Sequence, residues 1–238
     1  EDFVPDSSIS MDINPAWLAP TSFIDYDNDA VKTFADTAVG DTTEQIEVAS
    51  LLFHAVRDGI RYNPWVAAFE PAAYRASNVA ASDQNWCIPK SVLFVACARY
   101  KGIPARLGFA DVRNHLTSEK LSETMGTDLF YWHGYAELFL NDRWAKLSTA
   151  FNIELCQKLG TKVLEFDPVN DSLMHPYDQS GNRHMEYVNQ RGTFDDLPLD
   201  DILSTFNDVY QDWSKDENGN NKKASDDITV DPVFTSPS

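Results

Sequence analysis

The stretch NWCIPKSVLFVACARYKGIPARLGFADV, residues 85–112, decides the fold. From Ile88 to Lys101 it is apolar on most sides until Arg99, and Pro89 stands where a first-turn proline is tolerated. A helix without a polar face must be covered all round, so this one is expected at the centre of a core. Gly102 ends it, and Ile103 to Val112 alternates toward a strand. Cys87 stands at or next to the helix N-cap. Unpaired backbone N–H groups and the positive end of the helix dipole meet there, which is an environment that lowers a thiol pKa. Cys97 lies inside the same helix among Val95, Ala96 and Ala98 and reads as core packing. Cys156 belongs to a short helix over 152–160 and carries no partner signal.

Downstream, LFYWHGYAELFL (129–140) and RWAKLSTAF (143–151) are strand-like and are separated by Asn141-Asp142, a hairpin signal. His133 sits within the first of them, and Glu137 follows on the same face by the two-residue period of a strand. A Cys at a helix start with a His on a following strand is a nucleophile and base pair suited to acyl transfer. Upstream, Thr42 or Thr43 caps a helix with Ile46, Ala49, Leu52 or Phe53, Val56 and Ile60 at spacings of three and four. Asn63-Pro64 closes it. Residues 65–85 read as a covering loop with short helical turns, 113–128 as a polar excursion, and 161–198 as irregular chain whose aromatics pack back on the core. A last amphipathic helix is expected over 199–213, with Ile202, Leu203, Phe206, Val209 and Tyr210 on one face.

Taken in order, Cys87 with its apolar helix, Gly102-Ile103-Pro104-Ala105-Arg106, His133 with Glu137, and the Trp144 strand resemble the transglutaminase-like superfamily, and within it bacterial members that act as cysteine proteases. The resemblance covers about residues 44–152. It implies an α+β fold with a papain-like core, in which the helix starting at Cys87 packs on an antiparallel sheet. The expected organisation is an extended lead-in over 1–28, a single domain over 29–213 with an extension at 153–213, and a mobile acidic, polar tail over 214–238 in which VDPVF can dock. The resemblance makes Cys87 the nucleophile and His133 the base. The closing strand of the family reads Leu-Asp-Pro-Thr, whereas this chain has Leu147-Ser148-Thr149-Ala150, so Ser148 takes the place of the carboxylate that orients the histidine. Ser148 is the third member by position; Asn152, or a carboxylate from Asp167, Asp171 or Glu186, are the alternatives. Trp86, Glu137 and His115 are expected near substrate, with Arg106 as the other partner open to Glu137.

The implied activity is cysteine-dependent cleavage of a peptide or carboxamide bond, hydrolysis rather than cross-linking. The alternative is a binding or scaffold module whose chemistry has lapsed with the loss of the Asp. No cofactor or metal is expected: His175 and His184, with Asp178 and Glu186 nearby, have neither HxxxH nor HExxH spacing, and no phosphate-cradling glycine motif occurs.

Composition narrows the partners. The chain has 238 residues, 43% hydrophobic, with 19 Lys and Arg against 37 Asp and Glu for a net charge of −18. That field repels nucleic acid and anionic lipid, so a peptide or protein substrate is expected, and neither nucleic acid nor membrane. The longest strongly apolar run, Ser91 to Ala98, falls short of the roughly 20 residues of a membrane span. No signal peptide is visible, and three cysteines at irregular spacing read as reduced thiols, so the expected location is the cytoplasm. The segment around Cys87 is itself locally basic, with Lys90, Arg99, Lys101, Arg106 and Arg113 against Asp111.

Overall fold

The central helix α4 runs Cys87–Tyr100, and all but its last residue are buried. Its coat has two sides. On one lie three helices, α1 (Asp29–Val39), α2 (Gln45–Gly59) and α3 (Ala76–Ala80); on the other lies a four-stranded sheet. This computed structural model describes residues 13–210 and 231–235. Helix α1 was not foreseen. Val31, Ala35 and Val39 are its buried stripe, one turn apart, and Asn28 caps it by accepting the Ala30 N–H at 2.9 Å.

The sheet is antiparallel throughout, in the order β5-β4-β3-β6, with β3 at Ala105–Asn114, β4 at Leu129–Leu140, β5 at Arg143–Leu147 and β6 at Met185–Phe194. The expected hairpin is there: Leu140 pairs with Arg143, and Asn141 and Asp142 both take positive φ, 49° and 60°. Those values suit the two-residue turn whose twist matches that of the strands. The second strand is shorter than expected, because residues 148–151 leave the ladder. Strand β6 overturns the expectation of irregular chain over 161–198. Only Met185 of its ten residues is buried, so a hydrophobic pattern is missing, and its order comes from backbone pairing with β3. Gly108 on β3 lies beneath the Tyr135 ring on β4: a Cβ there would meet a ring atom at 2.2 Å.

Two short parallel strands, β1 (Arg61–Tyr62) and β2 (Gln84–Asn85), tie the end of α2 to the start of α4. The same junction is fastened from inside by Lys90, which is wholly buried and donates to the backbone carbonyls of Arg57 (2.9 Å) and Ile60. The polar excursion holds a short helix, α5 (Glu119–Met125), and α6 spans Ile153–Leu159. Helix α7 spans Leu199–Val209, with Tyr210 as its C-cap; Gln211 to Trp213, expected in it, lie outside the described residues, as do residues 1–12.

Of the tail expected to be mobile, 231–235 are ordered against the domain as α8 (Pro232–Thr235). Asp231 accepts from the Ser118 hydroxyl at 2.5 Å, and the Phe234 ring lies 6.1 Å from that of Tyr62. The extensions are also tied through Arg99, which donates to the carbonyls of Ala105, Ala19 and Asp195 at 2.9, 2.8 and 2.7 Å. Among the described residues no helix is long and apolar enough to cross a membrane.

Candidate active site

Cys87 is the first helical residue of α4, and Trp86 is its N-cap. The β1–β2 pairing aims this start at Tyr62, because Tyr62 lies beside Asn85. Strand β4 closes on it from the sheet side. The backbone N–H groups of Gly134, Ile88 and Cys87 itself face the sulfur and favour the thiolate, as does the charge of Lys90. Burial outweighs all of them. The thiol is pushed up to about 11, so the lowered pKa expected from the helix start is not found. A helix terminus contributes a partial charge, whereas full burial removes the hydration of a whole one.

His133 precedes Gly134, whose N–H meets the sulfur, on β4. The ring is buried, and burial, reinforced by neighbouring His184, lowers its pKa to about 4. At neutral pH the pair is therefore a thiol and a neutral imidazole. Tyr187 of β6 stands edge-on to the ring at 6.2 Å. The phenols of Tyr62, Tyr74, Tyr187 and Tyr210 are each raised first by burial, with charge on Cys87 adding to it. Trp86 joins this aromatic wall, 6.0 Å from Tyr74 and 5.9 Å from Phe206 of α7. It is the one expected substrate residue that flanks the thiol.

None of the sequence-based candidates for the third position is bonded to His133 among the described residues. Nε2 of His133 has no hydrogen-bond partner among the described residues. Ser148 is buried, but its hydroxyl accepts only the Ala150 N–H at 3.5 Å, and its own N–H donates to the Ser172 carbonyl at 2.9 Å. Asn152 is spent elsewhere: its Oδ1 accepts the Tyr62 N–H at 3.0 Å and its Nδ2 donates to Glu154 at 2.6 Å. Asp167 accepts from Val169 and Asn170 within its own turn, Asp171 accepts the Lys146 N–H, and Glu186 pairs with His115 and Arg113. Glu137 is bound by Arg106 at 2.8 Å, under the Trp144 ring, which is the structural alternative left open for it. His115 pairs with Glu186 at 3.3 Å on the surface and does not join the thiol.

Sequence reasoning weighed His184 only as a metal ligand and named Asp111 only as a charge. His184 is buried, and both its ring nitrogens lack a hydrogen-bond partner among the described residues; its pKa falls to about 4, chiefly through burial. Asp111 is a carboxylate within an apolar strand, a pattern that itself signals a buried partner. Among the described residues no three His, Cys, Asp or Glu side chains group as a metal site, and all three cysteines are free.

A central helix that begins at a thiol and packs on an antiparallel sheet bearing a histidine defines a papain-like α+β fold. Residues 32–149, which include α4, β3, β4 and β5, match the model of the transglutaminase-like superfamily. The chain is also similar to a crystal structure of a candidate cysteine protease from Cytophaga hutchinsonii, at 14% identity and a TM-score of 0.45 over 81% of this chain. The chain covers 50% of that structure's length. No curated protein matches the sequence.

Proposed function

We propose that the protein is a cysteine acyl-transfer enzyme that opens a peptide or carboxamide bond, with water rather than an amine as the final acceptor. The observation that carries this reading is the placement of Cys87 at the start of α4 against the Gly134 N–H, with His133 the next residue along β4. The preference for water follows the resemblance to bacterial cysteine proteases of the superfamily. The nucleophile has to remain a free thiol, which suits a reducing compartment such as the cytoplasm.

Because thiol and imidazole are both neutral at rest, the proton moves as the bond forms rather than beforehand. His133 takes the Cys87 proton while the sulfur attacks the carbonyl carbon, and the oxyanion meets backbone N–H groups at the start of α4. The imidazolium then gives its proton to the departing amine as the C–N bond breaks. Water, deprotonated by His133, cleaves the thioester and restores the thiol.

A second reading, a binding module without turnover, is favoured by one observation: no carboxylate among the described residues holds His133 Nε2. An imidazolium without that partner is less well stabilised. A panel of peptides and glutamine amides, assayed with wild type, Cys87→Ala and His133→Ala, separates the two. Turnover lost in both variants, with an acyl-enzyme trapped on Cys87 by mass spectrometry, is the expected result. Binding with no Cys87-dependent turnover would establish the second reading.

A further inference from the structure

Asp111 lies in mid-strand on β3 and is 4% exposed. Its carboxylate is fully engaged. Oδ1 accepts the Trp132 backbone N–H at 3.1 Å and the Arg191 Nε–H at 2.5 Å, and Oδ2 accepts from Asn189 at 3.1 Å. Trp132 is the residue before His133, and its φ is +59°, a left-handed conformation that a bulky side chain adopts only when held.

The hold has a consequence for register. Val112 pairs with Phe130 but Ala110 pairs with His133, so Asp111 alone faces both Tyr131 and Trp132 across a β-bulge. Without the extra residue the pairing of Val112 with Phe130 would continue as Ala110 with Trp132 and Phe109 with His133. His133 would then occupy the place that Gly134 now holds opposite Phe109. That place has no room for it: a Cβ on Gly134 would come within 3.1 Å of the Ile88 Cα. A one-residue slip also turns a side chain to the other face of the sheet. The bulge is what puts the imidazole on its present face and the bare Gly134 amide against the sulfur.

Other groups brace the same turn. The Arg191 guanidinium stacks 4.5 Å from the Trp132 ring centre, the indole N–H donates to Thr205 at 2.9 Å, and the Tyr131 N–H donates to the Tyr210 hydroxyl at 2.9 Å. Of these, only Asp111 takes the amide of the left-handed residue itself.

We propose that Asp111 is a positioning residue of the Cys87 and His133 centre: its carboxylate holds Trp132 left-handed and so sets the register that presents His133 and Gly134 to the thiol. The assignment rests on the proposed roles of Cys87 and His133. It predicts that activity follows the acceptor at position 111, while stability follows the charge. Asp111→Asn keeps an oxygen for the Trp132 N–H and loses the ion pair, so kcat stays within about threefold of wild type although the unfolding temperature drops. Asp111→Leu loses both, and kcat falls about 100-fold with KM little changed, the effect of a misplaced base.

The tests are kcat and KM on the best peptide of the panel, thermal unfolding, and NMR titration of the His133 ring. If kcat follows the unfolding temperature through Asn and Leu alike, Asp111 is only structural and the proposal is overturned. Should Asp111→Leu not fold, Asp111→Asn decides alone: retained kcat supports the assignment and a 100-fold loss overturns it. The NMR arm stands apart from turnover. If wild type shows no Cys87-dependent turnover, the functional reading has failed, yet the positioning claim is still decided. A His133 pKa that rises in Asp111→Leu and holds in Asp111→Asn upholds it; one that is unchanged in Leu overturns it.

Discussion

A Cβ on Gly134 would stand 3.1 Å from the Cα of Ile88 and 3.4 Å from both the Cys87 carbonyl oxygen and the Ser91 Oγ, so β4 lies close on the first turn of α4. The first two of these neighbours are backbone and cannot swing aside. Gly134→Ala is expected to push the strand off the helix start and draw the Gly134 N–H away from the sulfur. A stability loss of about 1–3 kcal/mol is the usual cost of such crowding. Turnover should fall more than stability does. Chemical denaturation beside steady-state kinetics checks this, and a Gly134→Ala enzyme of wild-type kcat would contradict it.

Alkylation of Cys87 by iodoacetamide should climb through the alkaline range and reach half its limiting rate near pH 11, because burial holds the thiol protonated below that. Cys97 is raised by burial still further and should react more slowly at every pH. Equal rates at the two sulfurs, measured by peptide mapping, would remove any special status from Cys87.

Acid should destabilise the protein between pH 6.5 and about 4. Both His133 and His184 are lowered to about 4 in the fold, so in that window the unfolded chain holds protons that the folded one does not. Stability then rises with pH across the window and is lost on acidification, by on the order of 3 kcal/mol per histidine at full effect. His184→Phe should flatten part of the slope in urea unfolding between pH 6.5 and 4.5. An unchanged slope would contradict the burial of His184 as its cause.

Lys90 gives the opposite end of the pH scale a signature. Burial lowers its pKa from 10.5 to about 7. Below pH 7 both folded and unfolded chains hold the proton; above it the folded chain releases it first, so this group adds stability as pH rises from 7 toward 10.5. Lys90→Met is expected to lose that rise and, by leaving the Arg57 and Ile60 carbonyls without their donor, to be less stable throughout. Unfolding temperatures of the two proteins at pH 7 and pH 9 measure it; parallel changes would refute the shift.

The parts of the fold legible in the sequence are those written in apolar side chains. Ile88 to Ala98 announce a helix with no exposed face, and Asn141-Asp142 between two apolar runs announces the hairpin. Helix α1 escaped because its core stripe is only Val31, Ala35 and Val39, with Phe34 and Ala38 partly covered beside it. Strand β6 escaped because Glu186, Asn189, Gln190 and Arg191 carry no alternation; its pairing is made by backbone, which every sequence has. At the site, Cys87 and the strand that bears His133 could be placed from spacing and resemblance. The thiol's pKa could not, since it depends on how completely Tyr62, Tyr74 and Trp86 wall off water. Nor could the left-handed turn at Trp132, which no local residue preference requires and which a distant carboxylate imposes.

The sheet's fourth strand has a consequence for the order in which the chain takes shape. Strand β6 lies beyond the family-matched residues 32–149, yet it supplies Asn189 and Arg191 to Asp111. A nascent chain that has delivered α4, β3, β4 and β5 therefore still has an open β3 edge and a buried carboxylate short of its cation. Closing that long loop is slow compared with forming the hairpin. The amides of Trp132 and Arg191 should accordingly gain protection in the same late phase of refolding, after those of α4, when followed by pulsed hydrogen exchange. The chemistry of the site then becomes available only once nearly the whole domain has been made, a form of timing written into topology.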